Sequence, residues 1–444
     1  MSKDCEGNEI TPLAITDYRD LKQRFGIKRK NRTSHMYILG KTGTGKTTLL
    51  KNMIVSDIKD GNGLAVVDPH GDLAEDLLNF IPRRRIKDVI YFNPADLEFP
   101  IGFNPLEKVH PDHHHLVASG LISVFKKIWS EFWGPRLEYI LRNAVLALLE
   151  YQESTLLDLP KILVDKEFRR RVLEKVKNPQ VSDFWIKEFE KYSSYLRTEA
   201  ISPIQNKVGE FLCTPLIRNM FCQKESAINF RQVMDEGKIL IVNLSKGKIG
   251  EDMCSLLGAM IVTRMELAAL SRTDIPETKR KPFYLYVDEI HNFITLSFAD
   301  ILSESRKYGL NLILTHQYIE QLDEKIRSAI FGNSGTLISF RIGQEDARIM
   351  AREFYPVFDE TDLVNLSNYH IYLKLMIDGV TSKPFSAITL PPPLCERDYK
   401  QKIICASRKR YARSRDEVER EMLLKRRLEN YSPKYKTYDQ KLPL

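Results

Sequence analysis

The chain has 444 residues, 43% of them hydrophobic and 28% charged, and its formal net charge is +8. A chain of this length and composition can bury a large core, which excludes a disordered or low-complexity protein and predicts a folded, soluble one with about two or three structural units. The most apolar stretch, residues 255–270, is interrupted by Arg264 and Glu266, and residues 1–10 carry four charged side chains. We therefore expect neither a membrane span nor a secretion signal.

The cysteines lie at positions 5, 213, 222, 254, 395 and 405 and form no C-x-x-C pair. Scattered cysteines without a framework are typical of reduced residues in a cytosolic protein. The sequence therefore predicts a cytoplasmic protein that would reach a membrane only through partners.

Residues 1–26 are polar and are interpreted as an N-terminal extension. Beyond them, short apolar runs alternate with helical patterns, as expected of an α/β protein with a mostly parallel central sheet and crossover helices. The predicted strands are Met36–Leu39, Leu64–Val67, Val89–Phe92, Ile239–Asn243, Tyr284–Val287, Leu310–Leu314 and Thr336–Phe340.

A phosphate-binding loop follows the first of these strands, because residues 40–47 match the pattern G-x-x-x-x-G-K-[ST]. The backbone N–H groups of such a loop surround a polyphosphate, and the lysine and the next helix N-terminus add positive charge. We expect Lys46 to reach the outer phosphates and the Thr47 hydroxyl to bind Mg²⁺. The predicted nucleotide-binding residues are Gly40, Lys41, Thr42, Gly43, Thr44, Gly45, Lys46, Thr47 and Thr48.

Strand signals almost vanish between residues 105 and 235, where helical patterns dominate. We interpret residues 105–235 as an all-helical insertion into a sheet domain made of residues 27–104 and 236–390. The insertion is rich in aromatic and basic residues, which fit either a DNA path or a core with a solvated helix face, and the second interpretation is favoured. One helix face is apolar at Leu137, Ile140, Leu141, Ala144, Val145 and Leu148.

Two carboxylates, Asp288 and Glu289, follow the apolar strand at residues 284–287. A phosphate-binding loop needs an acid that helps to hold Mg²⁺ and a base that orients the attacking water. We expect Asp288 to fill the first role and Glu289 the second. The alternative is a strand that runs into a helix N-terminus, where acids are favoured in any case, but the phosphate-binding loop favours the catalytic interpretation.

Gln317 closes the next predicted strand along the chain, which should lie beside the strand that carries Asp288. Ligands of open α/β sheets bind at the carboxyl ends of the strands. Gln317 is therefore expected to contact the outer phosphate or the attacking water. Its alternative role is that of a residue that caps a loop.

The end of the chain combines a predicted β-hairpin, residues 370–377 and 381–390 around Asp378-Gly379, with a basic tail, residues 391–444. Pro391–Pro393 break the chain between them. Residues 396–444 hold 15 Lys or Arg and 8 Asp or Glu, which accounts for most of the net charge of +8. The tail is interpreted as a solvated helix with charge pairs, with contact to nucleic acid as the alternative.

The motifs at residues 40–47, 67–72, 287–293, 305–309 and 314–317 together resemble those of the HerA/FtsK superfamily of DNA-pumping ATPases. Within it the chain is most similar to type IV secretion coupling proteins of the TraG/TrwB kind. The resemblance covers residues 27–390. It implies a RecA-like P-loop fold, ATP and Mg²⁺ as cofactors, DNA as the substrate and a ring, expected to be a hexamer, that works with secretion or relaxosome components.

The resemblance also implies roles for single residues. The carboxylate pair and the strand-end glutamine are catalytic in that family, and an arginine before the glutamine strand acts as a finger on a neighbouring subunit's nucleotide. Arg306 occupies that position, and Arg341, at the end of a predicted strand, is its rival. Two other functions stay open: a soluble HerA-like DNA-processing translocase, and an ATPase that switches assembly or drives protein export.

Overall fold

The computed structural model describes residues 10–17, 22–107, 109–295, 298–395 and 398–430. These residues form two compact units. The first contains the described residues up to Ala95 together with Ser119–Glu131 and Asn229–Ser407. The second contains Asp96–Ala118, Phe132–Ile228 and the described residues from Arg408 onward.

The strands are β1 Ile10–Thr16, β2 Arg24–Lys28, β3 Met36–Leu39, β4 Gly63–Asp68, β5 Val89–Phe92, β6 Ile239–Asn243, β7 Phe283–Val287, β8 Leu310–His316, β9 Thr336–Ser339, β10 His370–Lys374, β11 Met376–Ile377, β12 Val380–Thr381 and β13 Phe385–Thr389.

The α-helices are α1 Lys46–Asp60, α2 Asp72–Leu77, α3 His114–Ile128, α4 Pro135–Glu150, α5 Asp158–Val164, α6 Lys166–Leu173, α7 Pro179–Asp183, α8 Ser194–Cys213, α9 Pro215–Phe221, α10 Phe230–Glu236, α11 Lys246–Ile249, α12 Glu251–Leu270, α13 Phe298–Glu304, α14 Glu324–Asn333, α15 Gln344–Phe354, α16 Glu360–Asn365, α17 Lys400–Tyr411 and α18 Arg415–Asn430.

The first unit is built on a single large sheet in which the strand order is β2-β1-β13-β10-β9-β3-β8-β7-β4-β6-β5. The neighbours from β9 to β5 are all parallel. Every residue of these parallel strands is buried, as expected of strands that are covered by helices on both faces. All the strands predicted from the sequence are among them, so the predicted α/β class is confirmed.

The predicted N-terminal extension, residues 1–26, is corrected by β1 and β2, which form the antiparallel edge of the sheet. β1 pairs with β13, where Ala14 lies opposite Thr389. The pairing between β1 and β2 is irregular between Pro12 and Ala14, as expected where a proline interrupts a strand. Residues 1–9 and 18–21 lie outside the described residues.

A buried arginine connects β1 to the centre of the sheet. Arg32 donates to both carboxylate oxygens of Asp57, at 2.7 and 2.9 Å, to the Thr11 hydroxyl at 2.8 Å and to the Tyr286 hydroxyl at 2.7 Å. Burial alone would lower the pKa of Arg32, but Asp57 and Tyr286 raise it above its usual range. Loss of one partner of such a pair leaves an uncompensated buried charge, at a cost of about 3–5 kcal/mol.

The segments predicted as a hairpin form two antiparallel strand pairs. β10 pairs antiparallel with β13, and β11 with β12 around the predicted turn. Asp378 and Gly379 both have left-handed backbones, with φ of 49° and 88°, as a two-residue hairpin turn requires.

The second unit consists of helices, as predicted for the insertion, and the apolar face of α4 is buried. Its bounds differ from the predicted residues 105–235. Residues 119–131 and 229–235 belong to the sheet unit, because helices such as α10 pack on α12. The sequence pattern marked these segments as helical and gave no sign of which unit they pack in.

The predicted independent tail is also corrected, because the residues from Arg408 onward belong to the helical unit. Arg408 pairs with Asp96 at 2.7 Å, and Asn219 donates to Glu419 at 3.0 Å. The predicted charge pairs are present, for example Arg415 with Glu419 at 3.0 Å. Residues 431–444 lie outside the described residues.

Among the described residues, Glu251–Asp274 is one helical stretch long and apolar enough to cross a bilayer, and 67% of its apolar window is buried inside the fold. Burial of this extent is typical of a core helix. The helix α12 packs against α10, α11 and the segment after β7.

Candidate nucleotide site

The phosphate-binding loop, residues 40–45, connects β3 to α1. Gly43 and Gly45 have left-handed backbones, with φ of 77° and 119°, which a side chain would strain. A Cβ atom at Gly45 would lie 2.9 Å from Cδ1 of Tyr369, whereas one at Gly43 would meet nothing within 4 Å. The loop therefore packs on the protein at Gly45 and faces open space at Gly43.

Three backbone hydrogen bonds fix this loop to neighbouring elements. Gly40 N donates to His316 O at 3.2 Å, and Lys41 N donates to Arg341 O at 2.9 Å. Thr44 O accepts from Tyr369 N at 2.8 Å. The loop is thus held between the carboxyl ends of β8 and β9 and the beginning of β10, where ligands of open α/β sheets bind.

Lys46 begins α1 and is buried. Its ammonium donates to Gly40 O and, at 3.2 Å, to Lys41 O. Burial lowers the pKa of Lys46, while the charges of Glu289 and Asp288 raise it. The lysine therefore lies in the electrostatic field of the two acids.

Asp288 and Glu289 follow β7 and are 6% and 4% exposed, so both carboxylates are shielded from solvent. The Thr315 hydroxyl, from the neighbouring strand β8, donates to Asp288 Oδ1 and accepts from Glu289 N at 3.2 Å. Asp288 N donates to Val67 O at 3.1 Å. The strands on both sides of β7 thus fix the positions of the acids.

A chain of hydrogen bonds joins the phosphate-binding loop to Glu289. The Thr42 hydroxyl donates to Gln317 Oε1 at 3.0 Å, and Gln317 Nε2 donates to Glu289 Oε1 at 2.5 Å. The other carboxylate oxygen, Glu289 Oε2, is buried and has no hydrogen-bond partner among the described residues. This oxygen is available to accept a hydrogen bond from a water.

Burial raises the pKa of the Glu289 carboxyl, and Asp288 adds to the increase, while Gln317 and Lys46 oppose it. A higher pKa makes the ionised carboxylate a stronger base at neutral pH. Burial lowers the pKa of His316 to about 3 and that of His291 to about 4, so both imidazoles are uncharged at neutral pH. Among these three side chains, Glu289 is the one whose pKa is raised by its surroundings.

The side chains of the site fit a magnesium nucleotide. Thr47 is exposed in the first turn of α1, with Thr48 half-buried beside it, and Asp288 is the carboxylate at the end of β7. No group of three or more His, Cys, Asp or Glu residues that could hold a metal ion occurs in the described part of the chain. A site with one hydroxyl and one carboxylate suits Mg²⁺, which takes its other ligands from phosphates and water.

The two candidate arginines lie at opposite ends of the parallel strands. Arg341 follows β9, and its backbone oxygen is bonded to the phosphate-binding loop. Arg306 precedes β8, so the length of that strand, roughly 20 Å at about 3.3 Å per residue, separates it from Gln317. Arg306 is exposed and lines a cavity of about 670 Å³ with Ser34 and Lys374. The structure thus brings Arg341, and not Arg306, to the chain's own loop.

The turn after β4 has a structural role at Asp68. Its carboxylate accepts from His70 N and from Ala74 N, both at 2.9 Å, and so caps the beginning of α2. Thr315, in contrast, was missed by the sequence analysis. The available signal was a hydroxyl residue inside a buried strand, two positions before Gln317.

The family model described as the type IV secretion-system coupling protein DNA-binding domain matches residues 24–354. The unbound monoclinic form of the bacterial conjugative coupling protein TrwBdeltaN70 has a similar fold, with a TM-score of 0.61 at 16% identity over 84% of this chain and 88% of that one. The plasmid coupling protein TrwB in complex with ADP and Mg²⁺ matches with a TM-score of 0.62 at 16% identity, over 88% and 96% of the two chains.

VirB4 of Thermoanaerobacter pseudethanolicus is also similar, with a TM-score of 0.56 at 15% identity over 88% of this chain and 97% of that one. No curated protein matches the chain. The structural similarities confirm the predicted P-loop α/β fold.

Proposed function

The chain belongs to the family of the type IV secretion-system coupling protein DNA-binding domain, and on that premise we propose that it is an ATP-hydrolysing ring motor that binds and moves DNA in conjugative or type IV secretion transfer. The observation that carries the proposal is the hydrogen-bonded path from Thr42 through Gln317 to Glu289. It links the loop that would hold the triphosphate to the base that would activate water.

Each side chain of the site has one task in this mechanism. Lys46 would exchange its bonds to Gly40 and Lys41 for bonds to phosphate oxygens, and Thr47 and Asp288 would hold Mg²⁺. Glu289 Oε2 accepts the proton of the attacking water, and Gln317 keeps Glu289 oriented. Bound Mg²⁺ would neutralise charge on the outer phosphates. Because Gln317 contacts both the loop and the base, it is suited to report the loss of the outer phosphate.

DNA is expected to stimulate ATP hydrolysis severalfold, because a motor couples turnover to movement along its substrate. The measurement is the steady-state rate of phosphate release with no DNA, with single-stranded DNA and with double-stranded DNA. A rate that neither form of DNA changes would contradict the motor and support an ATP-switched assembly or protein-export ATPase. Raising the salt concentration should abolish the stimulation, because binding to DNA phosphates releases counterions and is therefore weakened by salt.

A ring, expected to be a hexamer, would place Arg306 on the nucleotide of another copy. Arg306 lies before the amino end of β8, whereas the phosphate-binding loop of the same chain lies at the carboxyl end of that strand. This position supports the arrangement, because Arg306 lies away from the nucleotide that its own chain would bind. Arg341 lies beside its own loop and would act within one subunit. A planar cation near the outer phosphate stabilises charge in the transition state.

Arg306→Ala is expected to lower kcat by about 10²-fold, as loss of one transition-state donor does. A mixture of Arg306→Ala protein and Lys46→Ala protein should recover part of the activity. At an interface between the two variants, the Arg306→Ala subunit supplies an intact Lys46 and the Lys46→Ala subunit supplies an intact Arg306. The same mixture made with Arg341→Ala should stay inactive. Restoration with Arg341→Ala instead would assign the finger to Arg341.

We propose that the motor works in the cytoplasm and reaches the membrane through secretion or relaxosome partners. The scattered cysteines and the burial of α12 inside the fold support this location.

A further inference from the structure

Glu289 has a backbone conformation that a non-glycine residue adopts at a cost. Its φ and ψ are 48° and 61°, in the left-handed region. Such a conformation is unfavourable for a residue that carries a Cβ atom, and it persists only where neighbouring groups impose it. The groups that hold the segment Asp288–Ile294, called the acid loop below, therefore help to set the direction of the catalytic carboxylate.

Asn292 closes the acid loop on itself. Its backbone N–H and its Nδ2 both donate to Glu289 O, at 3.1 and 2.9 Å. Its Oδ1 accepts from the ammonium of Lys246, at 2.7 Å. Lys246 lies in α11, directly after β6. The helix after β6 therefore holds the acid loop, which follows β7.

A second lysine contacts the acid loop from α3. The Lys127 ammonium donates to His291 O and to Ile294 O, both at 2.8 Å. These two carbonyls lie on either side of Asn292, and Lys127 therefore spans the part of the acid loop that Lys246 and Asn292 leave unsupported. No sequence pattern marked Lys127, because it is one of several basic residues on a helical segment.

The environment of Lys127 is unfavourable for a charge. Burial lowers the pKa of Lys127 to about 7, and the nearby charge of Lys246 acts in the same direction. A lysine with no structural task would be more stable with its ammonium in water. The two hydrogen bonds that Lys127 donates to carbonyls of the acid loop, both at 2.8 Å, compensate for the burial of its ammonium.

The helix that carries Lys127 connects the two units along the chain. α3 runs from His114 to Ile128, and its residues up to Ala118 belong to the helical unit while those from Ser119 belong to the sheet unit. Lys127 lies in the last turn. A rotation or shift of α3 would move the Lys127 ammonium relative to the two carbonyls that it binds.

We propose that Lys127 is a positioning residue, which holds the acid loop so that Glu289 faces the attacking water. This inference rests on the proposed ATPase function.

Lys127→Met is expected to lower kcat about tenfold, the effect of losing one charged hydrogen-bond donor, while KM and the affinity for a fluorescent ATP analogue stay at the wild-type values. Lys127→Arg should recover part of the lost activity, because it keeps the charge and the donors. Lys126→Met is the matched control, since Lys126 is the adjacent, exposed lysine on the same helix, and it should behave as wild type.

An unchanged kcat in Lys127→Met would overturn the proposal, and so would an equal loss of kcat and nucleotide affinity, which indicates a general structural role. If Lys127→Met does not fold, Lys246→Met provides the second test, because it removes the support of Asn292 and should also lower kcat without changing affinity. A wild-type protein that hydrolyses no ATP would contradict the proposed function itself. An active wild type with unaffected lysine variants would contradict this inference alone.

Discussion

Glu289→Gln is expected to lower kcat for ATP hydrolysis by about 10³-fold and to leave ATP affinity close to that of the wild type. Glutamine has nearly the shape of glutamate, and its Oε1 can still accept from Gln317, so the geometry should survive. The substitution removes the basic oxygen, Oε2, which is buried and has no hydrogen-bond partner among the described residues. Steady-state hydrolysis and binding of a fluorescent ATP analogue measure the two quantities separately.

The pH profile tests the same residue in the wild-type protein. The ionised form of Glu289 is the base, and burial raises the pKa of its carboxyl above the usual 4.5. On the acid side of the profile, the rate should therefore fall as the pH drops through this raised pKa. Glu277→Gln, a change at an exposed acid of the same unit, should leave both the rate and the profile unchanged. A Glu289→Gln protein that turned over ATP at the wild-type rate would remove Glu289 from the mechanism.

Lys46→Ala is expected to lower kcat/KM by about 10³-fold or more, because it removes the cation that would bind the outer phosphates in both the ground state and the transition state. Unlike Glu289→Gln, it should also weaken nucleotide binding. Burial lowers the pKa of Lys46, so its charge is not a source of folding stability, and the melting temperature should not fall. Isothermal titration with an ATP analogue and thermal unfolding test the two statements.

Lys59→Ala serves as the control for Lys46→Ala, since Lys59 is an exposed lysine at the far end of the same helix. It should bind and hydrolyse ATP as the wild type does. If Lys46→Ala bound the analogue with wild-type affinity, the loop at residues 40–45 would not be the phosphate site. The ATPase proposal would then fail together with the motor.

The sequence was sufficient to predict the parallel part of the sheet and the grouping of the candidate site residues at the carboxyl ends of its strands. The strands from β3 to β9 are continuous apolar runs because both faces of the sheet are covered, and such runs can be recognised without knowledge of their neighbours. The phosphate-binding loop, Asp288 and Gln317 each follow such a run. Their proximity then follows from the rule that parallel strands end at the same edge of a sheet.

The features that were missed depend on contacts between residues distant in the sequence. β1 is stabilised by pairing with β13, more than 350 residues later, and a short strand that contains Pro12 gives little local signal. The tail joins the helical unit through pairs such as Arg408 with Asp96. Lys127 and Lys246 reach the acid loop through single ammonium groups, and no periodicity of the sequence specifies where a long side chain ends.

The pairing of β1 with β13 limits how the protein can be shortened. A version that began at residue 29 would retain the nucleotide loop and both acids, yet it would leave one side of β13 without its backbone partners. An uncovered strand edge is a template for pairing with other chains. Arg32 would also lose its bond to the Thr11 hydroxyl and become accessible to water. The strands β1 and β2 are therefore an integral part of the ATPase fold, and their removal favours aggregation.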